Sequence, residues 1–204
     1  MSPRPQVEHI RKPQILKAAG EVIARKGVDG TRIADVAEAA GTSPAAVIYW
    51  FESRDELLAA ALTFAEDSFY EQLGKRLAEL DDPRDRLVAL IDSAVGGEDW
   101  VLWIELWVRS LRDRELAAAR KRLDDRWRQE ILAIINAGLA YGRFEVEDTE
   151  RATLELAAVI DGLAVQVALG DGAVPPATMR AICIEVAERI LGTSLDHDVV
   201  GIAV

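Results

Sequence analysis

Residues 31–57, TRIADVAEAAGTSPAAVIYWFESRDEL, contain two short helical patterns separated by a turn, and this stretch constrains the fold more than any other. Small apolar residues recur at helical spacing in its first part and predict one buried face. Gly41 follows them, where the end of a helix needs a residue that tolerates a left-handed conformation. Ser43 is placed to cap the next helix, whose first position is Pro44. The pattern predicts the helix-turn-helix of DNA-binding proteins.

The second of these helices is short and has two different sides. Val47, Ile48 and Phe51 are predicted to supply its apolar side, which leaves Tyr49 and Trp50 to point elsewhere. Small residues at its start would let the backbone approach a duplex closely, and alanine methyls can touch a thymine methyl. For Trp50 two readings stay open: a contact with DNA, or packing against its own domain.

Charge is distributed unevenly along the chain, whose formal net charge is −11. Residues 1–60 hold eight Lys and Arg against eight Asp and Glu, whereas residues 61–204 hold sixteen against twenty-seven. Within the first part, residues 1–32 hold seven basic residues against three acidic ones. Phosphate binding depends on local positive charge, so only the N-terminal part is expected to contact DNA.

The remaining pattern is helical throughout and predicts an all-α fold of about nine helices. Ser53 caps the long fourth helix, which Asp81-Asp82-Pro83 ends. Residues 193–204 form a tail without a clear pattern. The predicted helices span residues 8–26, 33–40, 44–50, 54–80, 84–95, 98–112, 114–141, 148–169 and 176–191.

Membrane, disulfide and enzyme chemistry find little support in the sequence. No apolar run approaches the length that spans a bilayer, and the N-terminus does not read as a secretory signal, so a cytoplasmic protein is expected. Cys183 is the only cysteine and is expected to be a buried apolar residue. His9 and His197 lie near the termini, and Asp124-Asp125 reads as a solvated helix face. We therefore expect no catalytic residues, no metal and no cofactor.

A longer pattern supports a specific resemblance. It resembles the N-terminal signature of TetR-family repressors over about residues 13–60, with four departures. Val36-Ala37 takes the place of the usual Ile-Ala pair, Thr42 replaces a common Val, Trp50 a common His and Arg54 a common Lys. The matching residues are Thr31, Ile33, Ala37, Ala40-Gly41, Ser43, Tyr49, Phe51, Ser53 and Leu57.

Residues 107–170 are similar, more weakly, to the C-terminal domain of the BetI-like subgroup. The residues concerned are Trp107, Arg112-Asp113, Glu115-Leu116, Trp127, Gly142, Phe144 and Asp161-Gly162-Leu163.

The resemblance implies a ligand-responsive transcriptional regulator, a repressor that a small molecule releases from its DNA operator. It implies a DNA-binding domain over residues 1–53 and a ligand-binding and dimerisation domain over residues 54–192. It also gives Tyr49 and Arg54 the role of phosphate contacts. The alternative is a helical binding or scaffold protein without DNA-binding activity. The predicted DNA-binding residues are Arg11, Lys12, Thr31, Arg32, Ser43, Pro44, Ala45, Ala46, Tyr49, Trp50 and Arg54.

Two groups of these residues are predicted to contact DNA because of where they lie along the chain. Arg11 and Lys12 belong to a basic N-terminal arm that could enter a minor groove or be only disordered. Thr31 and Arg32 open the second helix, where side chains and backbone N–H groups can hold a phosphate.

Tryptophans recur along one face of the predicted sixth helix. Such a stripe is either core packing or one wall of an effector cavity, which we place between the fourth helix and residues 98–112 and 114–141. Aromatic faces suit apolar ligands and choline-like ammonium groups alike. The predicted ligand-binding residues are Trp100, Trp103, Trp107 and Trp127.

Helices eight and nine are the predicted dimer surface, because small residues allow close packing into a four-helix bundle. Asp161 is the main charge in the apolar run of helix eight, and it either meets a partner helix or turns toward a ligand. The predicted interface residues are Ala158, Asp161, Gly162 and Val165. The expected partners are thus operator DNA, a small-molecule effector and a second copy of the chain, with no membrane.

Overall fold

The computed structural model describes residues 4–95 and 100–195, without the side chains of residues 4–11, 54, 55 and 115. These parts form nine α-helices and no strand, so the all-α prediction is confirmed. Residues 96–99, which include the predicted start of the helix at 98, and most of the tail lie outside the described residues. The helices are α1 (Arg4–Gly30), α2 (Ile33–Ala39), α3 (Pro44–Trp50), α4 (Arg54–Ala78), α5 (Pro83–Val95), α6 (Trp100–Ser110), α7 (Arg114–Ala140), α8 (Thr149–Ala168) and α9 (Pro176–Leu191).

The chain divides into two compact units, residues 1–71 and residues 72–204, and the boundary lies within α4. In the first unit α2 packs against both α1 and α3. α1 is interrupted at Gly27, whose φ of 70° is left-handed and lets the chain turn before α2. One face of α1 is buried, and its residues recur at helical spacing: Ile15, Leu16, Ala19, Val22 and Ile23.

The second unit is built around α5, α7 and α8. α7 packs against α5, α6 and α8, while α9 packs against α5 and α8. Fully buried side chains of α5, such as Leu87 and Leu90, lie at the centre of this unit. Cys183 on α9 is buried as predicted, and burial raises the pKa of its thiol to about 11. Within the described part of the chain, no helix is long and apolar enough to cross a bilayer.

A buried carboxylate ties three helices of this unit together. Asp92 on α5 accepts a hydrogen bond from Arg180 Nε on α9 at 2.7 Å. A second guanidinium, that of Arg76 in the last turn of α4, lies 3.6 Å from the same carboxylate. A buried charge is tolerated only when it is paired, so this cluster fixes the end of α4 against α5 and α9.

The end of α7 is shaped by glycines. Gly142 has a φ of 64°, which ends the helix in a left-handed turn, and the N–H of Arg143 donates to the carbonyl of Gly138 at 2.8 Å. Phe144 then folds back and is buried against Gly138. A Cβ atom on Gly138 would lie 1.9 Å from the Phe144 ring, so only glycine fits there without a shift.

Candidate functional site

The turn between α2 and α3 has the chemistry that the sequence predicts. Gly41 has a φ of 63°, and the N–H of Thr42 donates to the carbonyl of Ala37 at 2.8 Å. Ser43 caps α3, since its Oγ accepts a hydrogen bond from the N–H of Ala46 at 3.2 Å. The helix-turn-helix geometry is therefore fixed locally by a left-handed glycine and a serine cap.

α3 buries one side and exposes the other. Val47 and Phe51 are buried as predicted, but the prediction for Ile48 was wrong, because 58% of this residue is exposed. The short helix turns it toward solvent beside Tyr49, which is 74% exposed. Trp50 is half-buried, and its ring meets that of Tyr49 edge-on at 5.6 Å between centroids. The remaining predicted DNA contacts on this surface are exposed or half-exposed: Ser43, Pro44, Ala45 and Ala46.

The segment that opens α2 corrects one prediction. Thr31 is fully buried, and its hydroxyl donates to the carbonyl of Gly27 at 2.8 Å. Its side chain therefore holds the turn before α2 and is not available to a phosphate. Arg32 is exposed at the N-cap, where its N–H donates to Asp35 at 3.2 Å. Lys26 pairs with that carboxylate at 2.9 Å, and their hydrogen bond lowers the pKa of Asp35.

The basic residues expected to form an N-terminal arm lie within α1. The backbones of Arg11 and Lys12 are helical, so the alternative that this segment is only disordered was wrong, and its contact with a minor groove stays a prediction. The Lys12 ammonium lies 5.5 Å from the centroid of the Phe51 ring, a cation–π contact that holds it beside the end of α3. The side chains of Arg11 and Arg54 lie outside the described residues.

A cavity of about 390 Å³ lies in the second unit. Its walls come from α6, α7 and α8 and from Leu111, which follows α6. The expectation that α4 forms one wall was wrong for this cavity. The other lining residues are Trp107 and Ser110 of α6, Ala117, Arg120, Asp124, Trp127 and Arg128 of α7, and Ala157 and Asp161 of α8.

Two of the four predicted tryptophans line the cavity, and the other two do not. Trp107 and Trp127 face it from α6 and α7, whereas Trp100 and Trp103 are not among the lining residues. Trp100 instead supports the wall: its ring lies 6.1 Å from that of Trp107, centroid to centroid, in a T-shaped contact. Its indole N–H donates to the carbonyl of Ala94 at 2.8 Å, which fixes its orientation.

The charged residues of α7 in this cavity are paired with other charged residues of the same helix. Arg120 donates to Asp124, which also accepts a hydrogen bond from Trp107. Arg128 donates to Asp125 at 2.7 Å, just outside the lining. Burial raises the pKa of Asp124, although Arg120 and Arg128 oppose the shift.

Asp161 on α8 differs from these residues. Among the described residues, no ion pair or hydrogen bond is made by its carboxyl group. Burial and, to a lesser degree, the neighbouring charge of Asp124 raise its pKa to about 7, while Arg128 acts in the opposite direction. The cavity therefore holds one carboxyl group whose charge is not neutralised by the protein.

Comparison with known proteins accounts for both units. The family model for bacterial regulatory proteins of the tetR family matches residues 15–61. The model for the C-terminal domain of BetI-type transcriptional repressors matches residues 83–192, more than half of the chain. The chain belongs to the TetR family. It is thus a DNA-binding transcriptional regulator with a C-terminal ligand-binding domain, as the resemblance implied.

Individual relatives agree with this membership. The HTH-type transcriptional regulator BetI of Stenotrophomonas maltophilia is 30% identical over 176 residues, which cover 83% of this chain and 87% of the relative. A solved transcriptional regulator from Saccharomonospora viridis, in complex with choline, has a TM-score of 0.83 and 29% identity, and covers 90% of this chain and 98% of its own. A TetR regulator from Haloarcula marismortui has a TM-score of 0.80 and 26% identity, over 90% and 99% of the two chains.

Within this TetR-family chain, sequence reasoning missed the charged wall of α7. Asp124 was interpreted as part of a solvated face, yet it lines the cavity with Arg120 and Arg128. The signal was present in the spacing, because Arg120, Asp124 and Trp127 fall on one side of a helix. The interpretation failed because Asp124 and Asp125 were treated alike, whereas only Asp124 lines the cavity.

Proposed function

We propose that this TetR-family regulator is a homodimeric repressor, released from its operator when a small organic cation of the choline class occupies the cavity. One observation carries the choice of ligand: Trp107 and Trp127 share this cavity with the carboxylates of Asp124 and Asp161. Indole faces attract ammonium groups, and a carboxylate adds a counter-charge. The choline held by the similar regulator from Saccharomonospora viridis supports the same class.

Residues 1–53 form the DNA-binding domain in this proposal. The exposed side of α3, from Ser43 to Tyr49, is the surface that enters the major groove. Tyr49 and Arg54 contact phosphates, and Arg32 at the start of α2 provides a further positive charge. The acidic composition of residues 61–204 leaves the first domain as the surface that attracts DNA.

The exposed side of α8, with α9, is the dimer surface. Leu154 and Leu169 are 55% and 73% exposed, an unusual position for large apolar side chains, and a stripe of smaller residues lies between them. A second copy of the chain would cover this stripe and complete a four-helix bundle. The smaller residues are Ala158, Gly162 and Val165.

Residues 54–192 carry the ligand and the dimer contact, and no catalytic step is assigned to them. A ligand that changes the packing of α6, α7 and α8 alters the spacing of the two DNA-binding domains in the dimer. Coupling of this kind is typically about 1–3 kcal/mol, or roughly 5–150-fold in affinity. Because its target is DNA, the protein acts in the cytoplasm.

The test uses operator DNA selected from a random pool by the purified full-length chain. Choline should weaken binding to this DNA by roughly 5–150-fold and change tryptophan emission over the same concentration range. The control ligand is the neutral isostere of choline, in which a tert-butyl group replaces the trimethylammonium group. Equal effects of both compounds, or no effect of choline, would show that the effector is not a cation of this class.

A further inference from the structure

Resting on the proposed function, we propose that Asp161 is the counter-ion of the bound cation, and that effector binding is coupled to the loss of one proton from the cavity. The regulator would then respond to the cation concentration and to pH together. Asp161 acts as a specificity-determining residue, while Asp124 has a supporting role.

The first step of the argument is that the two carboxylates of the cavity are not equivalent. Asp124 is engaged by Arg120 of its own helix, α7, and by the indole N–H of Trp107 on α6. A cation that paired with Asp124 would have to displace Arg120. Asp161 faces the cavity from α8 without such a partner among the described residues, so it is free to receive the positive charge of a ligand.

The second step is that, among the described residues, the charged groups of the neighbouring helices do not pair with Asp161. From α7 the charged lining residues are Arg120, Asp124 and Arg128, each already paired. α6 contributes Trp107 and Ser110, neither of which titrates in this range.

The other charged groups nearby pair elsewhere and do not line the cavity. Glu105 and Arg109 of α6 lie 3.9 Å apart. Asp92 of α5 and Arg180 of α9 form the ion pair of the core described above.

The third step is the protonation state. The raised pKa of Asp161, about 7, means that its carboxyl group is largely protonated below neutral pH and ionised above it. A cation attracts the ionised form, so binding below pH 7 must expel the proton. Choline carries no titratable group in this range, and any proton released therefore comes from the protein.

The test measures choline binding to the full-length wild-type chain by tryptophan emission and by calorimetry between about pH 5.5 and pH 8.5. Affinity should fall about tenfold from pH 8 to pH 6, as expected when only the ionised form of a group with a pKa near 7 binds. Calorimetry in buffers of different ionisation enthalpy should show the release of up to about one proton per site below pH 7 and almost none at pH 8.5.

Three variants identify the group. Asp161→Asn should bind more weakly above pH 7 and lose the pH dependence. Asp124→Asn should keep it but shift its midpoint to lower pH, because the charge of Asp124 raises the pKa of Asp161. Asp81→Asn removes the same charge at an exposed position outside the cavity, and should behave as the wild type. Thermal unfolding checks that each variant is folded.

The outcomes separate the two proposals. Choline binding whose affinity does not change with pH, or whose pH dependence survives in Asp161→Asn, would overturn this inference and leave the proposed function standing. If the wild type binds no choline at any pH, the proposed function fails and the inference falls with it. A fall in choline affinity with pH that disappears only in Asp161→Asn supports both the proposed function and this inference.

Discussion

Tyr49 is the most exposed large side chain of α3, and its ring makes a T-shaped contact with that of Trp50. We expect Tyr49→Phe to weaken operator binding by roughly tenfold, because a hydrogen bond to a charged group is worth about 1.5 kcal/mol or more. The salt slope of log K should fall by up to about one unit if the phosphate contact itself is lost. Fluorescence anisotropy over a salt series measures both.

Tyr141→Phe is the matched control for this prediction. Tyr141 is 70% exposed, similar to Tyr49, but follows α7 in the second unit. It should bind operator as the wild type does. Equal operator affinities for the wild type, Tyr49→Phe and Tyr141→Phe would show that the Tyr49 hydroxyl does not contact a phosphate.

Asp161 also makes a prediction about stability without ligand. Its pKa in the folded protein, about 7, lies above its ordinary value, so the folded state binds more protons than the unfolded state in the window between. The unfolding free energy should therefore fall as pH rises from about 4 to 7, and stay reduced above that. Asp161→Asn cannot ionise and should escape this loss.

We expect the melting temperature of Asp161→Asn to exceed that of the wild type by at least about 2–4 °C at pH 8, equivalent to about 1 kcal/mol. This allows for screening of a partly accessible group by water. The difference should shrink toward pH 4, whereas Asp81→Asn should show no such trend. A constant difference between the two proteins at all pH values would mean that Asp161 does not titrate in this window.

At the scale of elements, the end of α7 offers a sharp test. Gly138→Ala should improve helix propensity by about 1 kcal/mol, yet a Cβ there would overlap the ring of buried Phe144. We expect a net loss of about 1–3 kcal/mol in urea unfolding, as for other overpacked cores.

Gly74→Ala in α4 is the control, since nothing lies within 4 Å of a Cβ at that position. It should be neutral or stabilising by up to about 1 kcal/mol. Similar stabilities for the two variants would contradict the close packing of Phe144 on Gly138.

The order of the helices and most of their ends were predictable because most ends carry their own chemical signal, whereas α1, predicted over residues 8–26, extends from Arg4 to Gly30. Ser43 and Ser53 cap α3 and α4 as the sequence indicates, while Pro83, predicted to end the fourth helix, is the first residue of α5. Periodicity also predicted a buried face of α2, of which Val36 and Ala37 are buried and Ile33 and Ala40 half-buried. Such signals are local, so a single chain reveals them without knowledge of its tertiary contacts.

Contacts that depend on a kink or on tertiary packing could not be predicted from these local signals. The sequence offered Thr31 as a phosphate contact, but the kink at Gly27 turns its hydroxyl inward. Periodicity found the tryptophan stripe of α6, yet only contact with α7 and α8 decides that Trp107, and not Trp103, faces the cavity. The position of Trp107 depends on how α6, α7 and α8 pack, and that of Thr31 on the kink before α2, and neither is visible in the periodicity of one helix.

At the scale of the whole molecule, the prediction concerns the dimer. Gly162 is exposed on α8, and a Cβ there meets nothing within 4 Å in its own chain. Gly162→Asp should therefore leave the folded chain intact while placing a charge in the contact between copies. We expect the wild type to be a dimer at micromolar concentration and the variant a monomer that no longer binds operator.

Sedimentation measures the mass, and Tyr141→Asp, with the same added charge outside α8 and α9, should remain dimeric. A monomeric wild type would refute the assignment. A dimeric Gly162→Asp would move the contact to another surface.

The position of Asp161 also bears on how the ligand that is sensed can change during evolution. The charged neighbours in the cavity lining are held by contacts within the protein, since Asp124 is engaged by Arg120 and by Trp107. Asp161 makes no such contact among the described residues, and it lies far along the chain from the DNA-binding domain. If Asp161 receives the charge of the ligand, replacing this one side chain changes the molecule that is sensed and leaves the DNA-binding domain unchanged. The position is equally the place where an engineer would begin to build a sensor for another molecule.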